Sequence, residues 1–174
     1  MTGICSWHVS IIELLNFFAI QKCSQYPMSL CQFYMYRYVD PIAMSAVKSQ
    51  GETAISKALL DPNYPRTIRI VMNRGLSIEK YTAAIIEALE PRMNGEDQEK
   101  LEEFKKLNPS VDLIEGAEME MTIRGDTLLY KNSLGNVGQI QSDVFCRALC
   151  DVYYGTDPVS PGHKEDVISK IKKL

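Results

Sequence analysis

Val137-Gly138-Gln139-Ile140-Gln141-Ser142 runs into Asp143-Val144-Phe145-Cys146-Arg147-Ala148-Leu149-Cys150-Asp151-Val152-Tyr153-Tyr154 and then Gly155-Thr156-Asp157-Pro158-Val159-Ser160-Pro161. Ser142 is a capping residue, whose side-chain oxygen can satisfy a free N–H of a first helical turn. A helix is therefore expected over Asp143–Tyr154, closed by Gly155. Gly135 and Gly138 bracket a turn just upstream, and two prolines stiffen the loop from Asp157 to Pro161. Leu149 is expected to be buried where this helix packs over a sheet. A short Lys-rich helix follows the proline loop.

Upstream of this stretch lie the strands that such a sheet needs. Glu118–Ile123 and Thr127–Lys131 read as two strands joined by Arg124-Gly125-Asp126, a hairpin turn rather than an adhesion motif. Residues 96–107 form a helix with Leu101, Phe104 and Leu107 as a thin apolar edge. Ser77 caps a further helix that ends before Pro91, with Ile78, Tyr81, Ile85 and Leu89 at helical spacing as its buried stripe. Arg66–Met72 alternates as a strand, with Ile68, Ile70 and Met72 on one face. Two short helices are expected after Asp40-Pro41, where the carboxylate caps and the proline takes the first helical position. Phe33–Val39 is an aromatic-rich strand whose period of two separates Phe33, Met35, Arg37 and Val39 from Tyr34, Tyr36 and Tyr38. Residues 1–32 read unlike the rest, so the chain divides into an atypical segment 1–32 and a domain 33–174.

The 174 residues, 45% hydrophobic and 24% charged, have the composition of one globular domain rather than of a disordered or fibrous chain. A net charge of −3 offers no basic excess to a phosphate backbone, so no nucleic-acid partner is expected. The apolar run from Ile11 to Ile20 is interrupted by Glu13 and Asn16 and is too short to span a bilayer. No Lys or Arg precedes it, as a signal peptide would require, and a core or surface helix is the expectation. Five irregularly spaced cysteines suit a reducing compartment better than a disulfide framework. The expectation is a soluble intracellular protein, of plastid or cytoplasm, without a transmembrane segment.

Chemistry-bearing motifs are scarce. Cys146 and Cys150 share a helical face, but with only His8 and His163 in the chain they read as packing residues rather than metal ligands. No phosphate loop is present, Glu102 and Glu103 diverge, and Ser160 with His163 lacks a third group. No metal or cofactor is called for. Phe33, Met35, Ile78 and Ile85 form either plain core or the lining of a cleft for an apolar or amphipathic small molecule. In the second case Arg37 or a tyrosine hydroxyl would serve as polar anchor.

The segments Val137–Ser142, Cys146–Gly155 and Asp157–Pro161, together with Tyr38-Val39-Asp40-Pro41 and Val71–Gly75, resemble the chalcone isomerase family over residues 33–174. The resemblance implies an α+β fold, an open-faced β-sandwich in which a layer of helices covers a large antiparallel sheet, with its N-terminal strands either present or missing. The family includes isomerases that close a flavanone ring and relatives that bind fatty acids. Its enzymes use an Arg and a Thr from early strands, and a Tyr and an Asn on the helix after the glycine turn. Ungapped counting puts the Thr position at Phe33, the Tyr position at Ile78 and the Asn position at Ile85. No counterpart of the Arg is found in residues 1–32.

Ring closure needs oriented hydrogen-bond donors, which Phe and Ile do not supply, whereas an apolar cleft suits an acyl chain. The resemblance therefore implies a non-catalytic protein that binds a fatty acid or similar apolar small molecule, lined by Phe33, Met35, Arg37, Ile78 and Ile85. A chalcone–flavanone isomerase, and an incomplete fold without ligand function, are the alternatives.

Overall fold

The computed structural model describes residues 21–22, 33–39, 41–108, 110–133, 135 and 137–174, leaving out the side chains of 21–22, 33–38 and Pro41. The expected cap at Asp40, the apolar run 11–20, and Cys5, Cys23 and Cys31 lie outside the described residues.

Alternating apolar residues build a six-stranded, wholly antiparallel sheet from β1 (Gln21–Lys22), β2 (Phe33–Val39), β3 (Arg66–Met72), β6 (Glu118–Arg124), β7 (Thr127–Asn132) and β8 (Val137–Gln141). The strands lie in that spatial order, and β4 (Leu76–Ser77) and β5 (Asp112–Leu113) form a separate two-stranded ladder. In β3, Arg66, Ile68, Ile70 and Met72 are buried while their alternates are half-buried, and β6 and β7 repeat the alternation. The outer face is polar: Arg69 pairs with Glu118, and the Thr67 and Thr122 hydroxyls meet at 2.8 Å.

Helices cover the inner face. α1 (Pro41–Lys48) and α2 (Glu52–Leu60) connect β2 to β3. Between β3 and β6 lie α3 (Ile78–Leu89) and α4 (Gln98–Lys106), and after β8 come α5 (Asp143–Tyr154) and α6 (Pro161–Lys172). Ser77 Oγ caps α3 by accepting from Lys80 N, and Ser142 Oγ caps α5 by accepting from Phe145 N while donating to Asp97 at 2.6 Å. Helix α5 is the hub. Its Phe145, Cys146, Leu149, Cys150, Val152, Tyr153 and Tyr154 are all buried, and α2, α3, α6 and β7 pack against it. Arg92 fastens α3 to α5 by donating to Asp151 at 2.8 Å, to Ala88 O and to Asp157 O. A layer of helices over one face of an antiparallel sheet is the arrangement that the sequence resemblance implies.

Several elements depart from the sequence reading. Gly138 belongs to β8 and not to a turn; the strand shows only Ile140 as a buried side chain, so glycine and glutamine masked its alternation. A Cβ at Gly138 would fall 2.2 Å from Leu107 Cδ2, so the glycine lets the end of α4 press onto the sheet. Gly155 ends α5 with φ −68°, outside the left-handed region; its hydrogen is required because a Cβ would meet Asp151 Oδ1 at 2.2 Å. The Arg124-Gly125-Asp126 hairpin is present, and its Gly125 N–H donates to Pro62 O. Residues Gln21 and Lys22 of the atypical segment pair with Met35 and Tyr34, so these two residues join the sheet and lie at its margin among the described residues.

Candidate functional site

Register aligns the inner face into rows that cross the strands. Arg37, Ile68, Met121, Tyr130 and Gly138 form one row, and Met35, Ile70, Met119 and Asn132 the next. Phe33 lies opposite Met72. Phe33, Met35 and Arg37 therefore occupy neighbouring positions on β2, in line with buried Ile68, Ile70 and Met72; their side chains lie outside the described residues. With strands about 4.8 Å apart, β2 and β7 stand roughly 14 Å from each other across the wall. Ile68, Ile70, Met72, Met119 and Met121 give that wall a soft apolar surface rich in thioethers.

Helix α3 contributes Ile78, fully buried, and Ile85, half-buried against the core. They are seven residues apart and share a stripe of the helix. Tyr81 lies between them, is also buried, and lies near Tyr130 of β7. A polar cluster thus sits inside an apolar interior. The Tyr130 phenol donates to Asn108 Oδ1 at 2.6 Å and lies 3.3 Å from Met119 Sδ. Asn108 Nδ2 donates to Phe104 O at 3.1 Å, and the Phe104 ring stands edge-on to Tyr130. Burial pushes the Tyr130 phenol up to about 12, against a smaller opposing effect of the polar groups of Asn132, Tyr81 and Asn108. At neutral pH it is a neutral hydrogen-bonding group and not a base.

The remaining candidates supply no reactive group. Burial, the largest cause, raises the thiol of Cys146 to about 12 and raises that of Cys150 as well, so neither is a thiolate nucleophile at neutral pH. His163 is buried on α6 with its ring 6.2 Å from that of Tyr154. Arg66 is fully engaged: its guanidinium donates to the carbonyls of Ala58, Leu59, Asp61 and Tyr64 and lies 5.6 Å from the centre of the Tyr154 ring. It is a clamp on the end of α2 and not a free counter-ion. Among the described residues no three His, Cys, Asp or Glu side chains gather as metal ligands, and no helix is long and apolar enough to cross a membrane.

The sequence reading missed Tyr130, Asn108 and Asn132. The signal for two of them was available, because extending the alternation of Leu128 and Tyr130 by one step puts Asn132 on the inner face. Asn108 enters from the loop after α4, which no periodicity marks.

No family model matches the chain, and no curated protein matches it by sequence. Among solved structures, it is similar to the crystal structure of a fatty-acid-binding protein of Arabidopsis thaliana. That likeness has a TM-score of 0.69 and 20% identity, and covers 81% of this chain and 78% of the other. At that identity the shared property is the fold: the antiparallel sheet and its helical cover are consistent with the chalcone-isomerase-like fold of that neighbour.

Proposed function

We propose that this chain binds an elongated apolar molecule, a fatty acid or a close analogue, between the inner face of the sheet and α3, and performs no chemistry on it. Phe33, Met35, Arg37, Ile78 and Ile85 are the proposed lining within a domain spanning residues 33–174. The observation that carries the reading is the fold likeness to a fatty-acid-binding protein, joined to an inner wall of isoleucine and methionine. Arg37 is the proposed partner of a carboxylate, because Arg66 is spent on the end of α2. The buried thiols of Cys146 and Cys150 suit a reducing compartment.

Ring closure on a chalcone is the second reading, and one observation favours it. Tyr81, the sole tyrosine on α3, places a phenol in the interior, three residues beyond the position first matched to the family's Tyr. The same three-residue shift puts the Asn position at Ala88, which has no donor. Loss of one such donor costs about 10²–10³ in rate, so binding without turnover is the better account.

Titration of the purified protein with a fluorescent fatty acid, with displacement by saturated acids of increasing length, tests the proposal. Burial at about 0.8 kcal/mol per methylene predicts roughly fourfold tighter binding for each added carbon until the cleft is filled. Length-independent or absent binding overturns it. Stereoselective cyclisation of a chalcone by the same sample would establish the isomerase reading instead.

A further inference from the structure

Thr82 is a buried polar residue whose burial no hydrogen bond of the fold explains. It lies on α3 with only 6% of its surface exposed, and its Oγ1 finds no hydrogen-bond partner among the described residues. A threonine in a helix ordinarily returns its hydroxyl to the carbonyl four residues back, and this one does not. A buried hydroxyl left unpaired costs more than the same site filled by an apolar isostere. Ile78 is four residues before it and Ile85 three residues after it, so all three lie along one side of α3. Thr82 therefore brings an unspent donor to the helix face that carries the two isoleucines of the proposed lining.

We propose that Thr82 anchors the polar head of the bound molecule, donating its hydroxyl hydrogen to a carbonyl or carboxylate oxygen, so that the site selects apolar chains that carry an acceptor. This rests on the binding reading above and adds a specificity-determining residue to it. The ligand-free protein bears an unpaired hydroxyl that the complex satisfies.

The test compares wild-type protein with Thr82→Val, Thr82→Ser and Thr82→Ala, using cis-parinaric acid, its methyl ester and the hydrocarbon pristane as probes. Thr82→Val is expected to bind the acid and the ester about tenfold more weakly and the hydrocarbon unchanged. Ligand-free Thr82→Val should melt about 2–4 °C higher, because the unpaired hydroxyl is gone. Thr82→Ser should keep near wild-type affinity, and Thr82→Ala should lose the discrimination even if Thr82→Val folds poorly. Equal affinity of wild-type and Thr82→Val protein for all three probes removes the anchor while leaving the binding reading intact, and shows the hydroxyl to serve the interior alone. Failure of wild-type protein to bind any probe removes both.

Discussion

Replacing Arg66 by methionine should be among the more damaging changes in the molecule, and its size can be worked from contacts. The guanidinium reaches four carbonyls at the end of α2. Two of them have a second donor, since Asp61 N–H serves Ala58 O and Tyr64 N–H serves Asp61 O. Leu59 O and Tyr64 O have no other donor among the described residues. Methionine fills similar space but leaves those two oxygens unpaired, at about 1–3 kcal/mol each. Loss of the guanidinium from the Tyr154 ring adds about 1 kcal/mol. Relief from burying a cation offsets part of this sum, so the expected net loss is about 3 kcal/mol. With a urea slope of about 2 kcal/mol per molar, the unfolding midpoint should fall by about 1.5 M. Arg66→Lys should recover less than half, because one ammonium cannot reproduce the planar fork. A midpoint within about 0.5 M of wild type would refute the reasoning and show that solvent reaches those carbonyls once the arginine is removed.

Leu149→Ala, at a fully buried position on α5, should cost about 2–5 kcal/mol in urea unfolding, and a shift under about 0.5 kcal/mol would contradict its place in the core. Gly138→Ala should lose about 1–3 kcal/mol by forcing its Cβ into Leu107, and Leu107→Ala in the same chain should recover part of that loss. Alkali should weaken the fold. Tyr130 and Cys146 are both raised to about 12 in the folded chain, above ordinary values of 10.0 and 9.0. Their stabilisation is complete below about pH 9 and is lost as pH rises toward 12, because the unfolded chain gives up its protons first. Stability measured at about pH 8 and about pH 11 should differ by a few kcal/mol, and Cys146→Ala should reduce the difference.

Much of the architecture was legible because period and punctuation agree with it. Phe33–Val39, Arg66–Met72 and the helix opened by Ser142 stand where alternation and capping put them. Strand β8 was hidden because an edge strand with one buried side chain has almost no apolar pattern to display. The two-residue β4 and β5 are held by tertiary pairing and carry no pattern of their own. The candidate site was half legible. Ile78 and Ile85 follow from the helical period, and the positions of Met35 and Arg37 follow from the strand period. The Tyr130–Asn108 contact joins a strand to a loop, and local spacing holds no record of it. Thr82 was overlooked because the period was sought among apolar residues, although it lies on the same buried side of α3 as Tyr81.

The order of strands along the chain also sets the order in which they can meet. β6, β7, β8 and α5 follow one another from Glu118 to Tyr154 and are joined by short turns. β3 reaches β6 only by closing over α3 and α4, as the pairing of Arg66 with Ile123 records. Closure entropy must be met before such distant pairs return anything, so the C-terminal meander is the natural nucleus and the β3–β6 seam the slow step. Synthesis runs the other way. The ribosome releases Ile68, Ile70 and Met72 well before the strand that covers them, and a chain halted before Glu118 holds a sticky edge with no mate. Truncation from the C-terminal side should therefore yield aggregates, whereas a fragment that begins near Glu118 keeps the fastest-forming contacts of the fold.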